Sequence, residues 1–264
     1  QFYFFSLLLI MYTIEPILRL IWFMNIIKST GTFSFYTLLS RISGYLRDIL
    51  IAIFLGSGPI ADAFFVAFRI PNTFRRLFGE GSFNAAFVPS YSKELIKGKK
   101  KSENFANNVL NLLTIFLLSL VILVELFMPI FVSLIAPGFK SDPEKFLLAT
   151  QLTKITFPFI FFISLASFFS AILNSHNRFA AASAAPIILN IIMISILVFG
   201  KILGEKLVIF LSYGVSIAGF IQSVFLIIFV KKFFKPEFKI KFKISKEIKL
   251  FFKKLLPSIF SSGV

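Results

Sequence analysis

The chain has 264 residues and no cysteine, which excludes disulfides, thiolate metal centres and cysteine nucleophiles. It is 57% hydrophobic and carries 39 Phe, where a soluble domain is about 45–50% apolar, and the excess comes in long runs that predict an all-α, polytopic helical membrane protein. The formal charge is +16, but its lysines and arginines sit in short segments between the runs, the positive-inside pattern of membrane proteins, which argues against a nucleic-acid partner.

Residues 1–23 are apolar but broken by Glu15, Pro16 and Arg19. They have neither the length to span nor the basic start and cleavage site of a signal peptide. They read as an apolar extension, with Met24 as the natural start. A first span covers about 30–56 and ends at Gly56-Ser57-Gly58-Pro59, a turn cluster. A second covers about 61–90, before a polar loop with Lys93, Lys97, Lys99, Lys100 and Lys101. The third lies within 105–136 and stops at Pro137-Gly138. The fourth is 147–173, with a kink expected at Pro158. The turn Asn174 to Arg178 leads to a fifth, 180–200, and Gly204-Glu205-Lys206 separates it from a sixth, 207–230. A basic linker, 231–254, holds ten Lys; its alternation of Lys with apolar residues suits either a segment lying on anionic membrane lipid or a solvated loop that fixes topology. Residues 255–264 begin a seventh span.

Lys28, the five Lys of 93–101, Arg178 and the ten Lys of 231–254 fall on one side of this topology. The richer side is read as cytoplasmic, with the amino terminus inside.

The first two spans differ from the rest. They contain Ser40, Arg41, Gly44, Arg47 and Asp48, then Asp62, Arg69, Arg75, Arg76 and Glu80. A charge at mid-bilayer costs about 2.5–3.5 kcal/mol, so Arg41, Arg47, Asp48, Asp62, Arg75 and Arg76 all facing lipid would cost on the order of 15–20 kcal/mol. That exceeds the whole stability of a typical protein, about 5–15 kcal/mol. The groups must therefore face a wet cavity, pair with one another or lie near the interface. Arg41 falls roughly 16 Å along its helix from Thr30, near the bilayer middle. Arg41 and Asp48, seven apart, share a helix face. The guanidinium fork binds phosphate in a bidentate manner and never deprotonates. A group of arginines around a membrane cavity thus suits a diphosphate, with Asp48, Asp62 and Glu80 holding the arginines or gating the cavity; an internal ion-pair network is the alternative.

Lys154 either lines the cavity or snorkels to the interface. Glu125 reads as a pairing or interfacial residue, and His176 as an ordinary loop residue. One histidine and no cysteine make no metal site, no G-x-x-x-x-G-K-[ST] motif is present, and no nucleophile–base pair has motif support. The reading therefore calls for no catalysis and no cofactor.

The text SRISGYLRDILIA (40–52) and DAFFVAFRIPNTFRRLFGEGSFNAAFVP (62–89), with KITFPFI (154–160) and ILNSHNRF (172–179), resembles the MurJ (MviN) family of lipid II flippases. These belong to the superfamily that includes MATE drug exporters and polysaccharide flippases. The likeness runs from Met24 to the end. It implies fourteen spans in all, two six-helix lobes around a central cavity, and two further helices that form a lipid-tail groove. It implies transport of undecaprenyl-diphosphate-linked peptidoglycan precursor, lipid II, across the bacterial inner membrane by alternating access. By the same resemblance, Arg41, Arg47, Asp62 and Arg75 match cavity residues, with Ser40 and Arg76 nearby. Gly79-Glu80-Gly81-Ser82 stands where Ala-Glu-Gly-Ala is usual, a small departure. The larger departure is length: this chain corresponds to the six-helix amino-terminal lobe plus the start of a seventh helix, and its expected partner is the missing carboxy-terminal lobe. Rival readings are a flippase for another polyprenyl-diphosphate-linked sugar, a cation-coupled multidrug exporter, and a membrane scaffold for cell-wall enzymes.

Overall fold

The computed structural model describes residues 30–79, 82–238 and 245–262. The extension 1–23, Glu80 and the middle of the basic linker lie outside them. Every described element is helical. Helix α1 covers 30–55, α2 Pro59–Gly79, α3 Ser82–Ile96, α4 Lys99–Leu126 and α5 Met128–Ile135. A 3-10 turn, Pro137–Ser141, leads to α6 Pro143–Thr156, α7 Phe159–Ser175 and α8 Phe179–Val198. The short α9, Gly200–Leu203, precedes α10 Leu207–Val230, and α11 is Lys246–Ser262.

The boundaries follow local chemistry. Gly56 ends α1 at φ +62°, a left-handed backbone that glycine adopts without Cβ strain. Asp142 caps α6 by accepting from the Lys145 N–H at 3.1 Å, with Pro143 in the first helical position. Pro158 brings no N–H, and α6 passes into α7 there through i→i+3 bonds, Ile160 N–H to Phe157 C=O and Phe161 N–H to Pro158 C=O.

Among the described residues four helical stretches are long and apolar enough to cross a membrane: Lys99–Leu126, Pro143–Ser175, Phe179–Val198 and Leu207–Val230. Helices α1 and α2 are comparably long, and their polar and charged residues set them apart. The α6–α7 stretch is the central one: 72% of its most apolar window is buried, against 28% for α4. Ile122, Leu123, Leu126, Ile130 and Leu134 stand exposed on α4 and α5, as do Ile217, Phe220 and Ile228 on α10. Apolar surface this extensive marks lipid contact. The chain is a helical membrane protein.

α10 packs along both α7 and α8, and α2 along α6 and α7. At Gly219 a Cβ would stand 2.7 Å from the Phe159 ring, so glycine there lets α10 close on α7. Elsewhere phenylalanine fills the interior. Phe83 and Phe87 stack at 5.3 Å, and Phe87 meets the Phe168 edge at 5.1 Å.

Two elements differ from the sequence expectation. The stretch 61–90 is two helices, α2 and α3, parted near Gly79. Residues 246–262 form one helix that runs across the expected 254/255 boundary. Its apolar face, Ile248, Phe251 and Leu255, is buried, and Phe251 sits edge-on to Phe83, Phe87 and Phe105 of α3 and α4. Lys249, Lys253 and Lys254 face outward. The amphipathic pattern is therefore real, but its apolar face finds protein.

Candidate functional site

The two charged residues that α1 places seven apart, Arg41 and Asp48, both line one chamber of about 830 Å³. Ser40, Gly44, Tyr45 and Arg47 join them from α1. Asn72 comes from α2, Asn84 from α3, Ser170 and Asn174 from α7, and Pro186 and Asn190 from α8. The lining is thus unusual for a membrane interior: two arginines, one carboxylate and a ring of amides and hydroxyls.

Arg47 is held on three sides. Its Nε and Nη2 donate to Asp48 Oδ1 at 2.9 and 2.8 Å. Its Nη1 donates to Asn190 Oδ1 at 2.8 Å, and its guanidinium carbon lies 5.3 Å from the centre of the Phe68 ring, a cation–π distance. The Arg47 side chain is only 12% exposed and Asp48 is 62% exposed, so the pair offers its carboxylate to the chamber. Asn190 completes the arrangement. Its Nδ2 donates to the Ser40 carbonyl at 2.9 Å and the Ser43 hydroxyl at 3.0 Å. Asn190 had no signal in the sequence: it is one amide in an apolar run.

Arg41 is different. It lines the chamber, is exposed there, and among the described residues forms no ion pair or hydrogen bond through its side chain. A guanidinium in this position has five N–H donors to offer a ligand.

The other named residues lie elsewhere or outside description. Asp62 does not line the chamber; it pairs with Lys145, the residue whose N–H meets the α6 cap. Lys145 also lies 4.4 Å from the centre of the Phe139 ring. Asp62 and Lys145 fall at the end of the bundle opposite the α7–α8 turn. Arg75 and Arg76 sit on α2, their side chains outside the described set, as is Glu80. Lys154 is exposed on α6; on α4, one Glu125 carboxylate oxygen is buried without a hydrogen bond among the described residues.

His176 is not an ordinary loop residue. Its ring stacks on Phe233 at 4.6 Å, and its Nε2 lies 3.3 Å from the Tyr91 hydroxyl. Burial holds its pKa below the ordinary value of 6.5.

The family described as "Lipid II flippase MurJ" matches residues 51–264. A protein of Rhizobium tropici named "Probable lipid II flippase MurJ" is 43% identical over 246 residues, covering 91% of this chain and 46% of the relative. One of the same name from Rickettsia prowazekii is 37% identical over 242 residues, 91% of this chain and 47% of the relative. The chain thus spans about half the length of these relatives. The solved structure "Lipid II flippase MurJ, inward closed conformation" superposes with a TM-score of 0.70 at 31% identity, over 87% of this chain and 47% of that one. A MATE transporter superposes at 0.66 with 18% identity, over 89% and 53%, which shows a shared fold alone. The chain belongs to the MurJ lipid II flippase family.

Proposed function

We propose that this chain is the amino-terminal lobe of an inner-membrane flippase that carries lipid II from the cytoplasmic to the periplasmic leaflet for peptidoglycan synthesis, its amino terminus in the cytoplasm. The single observation that carries the reading is Arg41, whose guanidinium forms no ion pair among the described residues and lines the same chamber of about 830 Å³ as Arg47. A permanent cation without an ion pair in a membrane-embedded chamber is costly unless an anion visits it. Two planar forks within one chamber suit the bidentate demands of a diphosphate.

In the proposed cycle Arg41 makes the first contact. Asp48 neutralises Arg47 while the chamber is empty and yields it to the diphosphate, whose charge is larger. Asn190 keeps the Arg47 fork aimed during that exchange. Arg75 and Arg76 add positive charge from α2, and Glu80 is proposed to hold the arginines or gate the chamber. Asp62, paired with Lys145, acts at the outer mouth as a latch between α2 and α6. The second lobe closes the chamber from the other side, and the cycle moves the lipid without bond-breaking chemistry. The basic stretch 231–254 rides on anionic lipid of the cytoplasmic leaflet.

Arg41→Ala in the complete two-lobed protein abolishes growth of a flippase-depleted bacterium while membrane levels stay normal. Normal growth at normal levels would overturn the role. Accumulated lipid II and lysis on depletion separate this substrate from another polyprenyl-diphosphate sugar, whose loss would remove a surface polymer only. A cation-coupled exporter would need carboxylates to dominate a chamber where arginines do.

A further inference from the structure

A second cavity, of about 470 Å³, lies where α10 ends and α8 begins. It shares no lining residue with the arginine chamber. Among the described residues two cations line it, Arg178 and Lys232, and no carboxylate does. Neither forms an ion pair among the described residues, and both are exposed. Leu173, Phe229 and Phe233 supply an apolar wall.

Arg178 is positioned by an aromatic contact, and Lys232 by the segment that carries it. The Arg178 guanidinium lies 5.8 Å from the centre of the Phe233 ring, and that ring is fixed from its other partner, His176, at 4.6 Å. The segment after α10 is tied to α4 as well: Asn107 Oδ1 accepts from the Glu237 N–H at 2.8 Å, and its Nδ2 donates to the Lys235 carbonyl at 3.4 Å. Lys232 and Phe233 are therefore part of a docked segment.

The location decides what can reach this cavity. The apolar stretches Phe179–Val198 and Leu207–Val230 both have an end here. Phe229, 45% exposed on the last turn of α10, belongs to the lipid-facing surface. Arg178 and Lys232 stand just past those ends, at the depth of phospholipid headgroups, where each cation near an anionic leaflet adds attraction. A free phosphate would satisfy the cations and leave the apolar wall bare; a phosphodiester with its glycerol and first acyl carbons covers both.

We propose that this cavity is a site for one anionic phospholipid, its phosphodiester held between Arg178 and Lys232 and its glycerol backbone against Phe229 and Leu173. The proposal rests partly on the reading of 231–254 as a lipid-facing stretch, and narrows that diffuse attraction to one built pocket.

The test is native mass spectrometry of the complete two-lobed protein in detergent, titrated with phosphatidylglycerol or phosphatidylcholine. Wild type retains one phosphatidylglycerol adduct. Arg178→Gln with Lys232→Gln weakens that adduct roughly tenfold or more, at about tenfold per 1.4 kcal/mol, with helical circular dichroism and monodisperse elution unchanged. Arg178→Lys, which keeps the charge, retains it. Lys249→Gln with Lys253→Gln on α11 lowers general adsorption to anionic vesicles and leaves the adduct. Equal retention of phosphatidylcholine would overturn the proposal, as would displacement by soluble glycerol phosphate. Loss of the adduct in the α11 variant alone would overturn the pocket and leave only the diffuse attraction of the basic stretch.

Discussion

Arg47 of α1 and Asn190 of α8, 143 positions apart, are joined by a 2.8 Å hydrogen bond that crosses the chamber wall. The bond fixes one of the chamber's two described arginines and ties the first helix to the rest of the bundle. Through its amide nitrogen Asn190 also grips the Ser40 carbonyl and Ser43 hydroxyl. One residue thus sets both the position of α1 and the direction of the fork.

Asn190→Leu removes a hydrogen bond to a charged group, a loss of about 1.5–3 kcal/mol. Diphosphate-lipid affinity of the complete protein is expected to fall about tenfold or more, while Asn190→Asp, which still accepts from Arg47, loses less. Titration of purified variants with a diphosphate lipid checks the order. Equal affinity for the leucine variant and wild type would remove Asn190 from the positioning of Arg47.

Asp62 and Lys145 offer a separable test. Their pair joins α2 to the start of α6 and is partly exposed, so it contributes about 0–1 kcal/mol to stability. Asp62→Lys alone sets two cations against each other and impairs growth support. Asp62→Lys with Lys145→Asp restores it if pairing is the role. Failure of the swap at normal membrane levels would mean that Asp62 itself meets the substrate or an ion.

The spans and their ends were legible because lipid imposes long apolar runs and because Pro and Gly clusters stop them. Pro137-Gly138, Pro158 and Gly204 each fall at a break in the structure. The seven-residue spacing of Arg41 and Asp48 placed them on one face, and both line the chamber. The parting of α2 from α3 had a local signal in Gly79 and Gly81, whose backbone freedom favours a break. The rest depended on distant partners. Nothing local marks Asn190, and the Lys–apolar alternation before residue 255 does not reveal that Phe83, Phe87 and Phe105 cover its apolar face. Nor does a lone histidine in a polar turn announce a stacking partner 57 positions later.

Gly219→Leu is expected to lower thermal stability more than Gly219→Ala. Even a methyl group there stands 2.7 Å from the Phe159 ring and 3.2 Å from Phe162 Cβ, and overpacking of this kind costs about 1–3 kcal/mol. Gly138→Ala, with open space around it, serves as the control. Melting of detergent-solubilised variants followed by intrinsic fluorescence or light scattering gives the order. A melting point for Gly219→Leu equal to wild type would mean that α7 and α10 are not in close contact at that point.

His176 makes the anchoring of the segment after α10 sensitive to acid. Its ring meets Tyr91 of α3, stacks on Phe233, and shares that ring with the Arg178 guanidinium of its own turn. Burial lowers its pKa from 6.5, so the folded protein holds the ring neutral where an unfolded chain would already have taken a proton. Between the two pKa values the unfolded state binds more protons, and stability falls as pH drops. The His176 contribution is complete above about pH 6.5 and is lost progressively below it, down to the folded value. His176→Phe keeps an aromatic on Phe233 and cannot protonate. The melting temperature of wild type is therefore expected to drop more between pH 7.5 and pH 5 than that of His176→Phe. Parallel decreases in the two proteins would show that the imidazole stays neutral, or is solvated, across that range, and would leave the stack as packing alone.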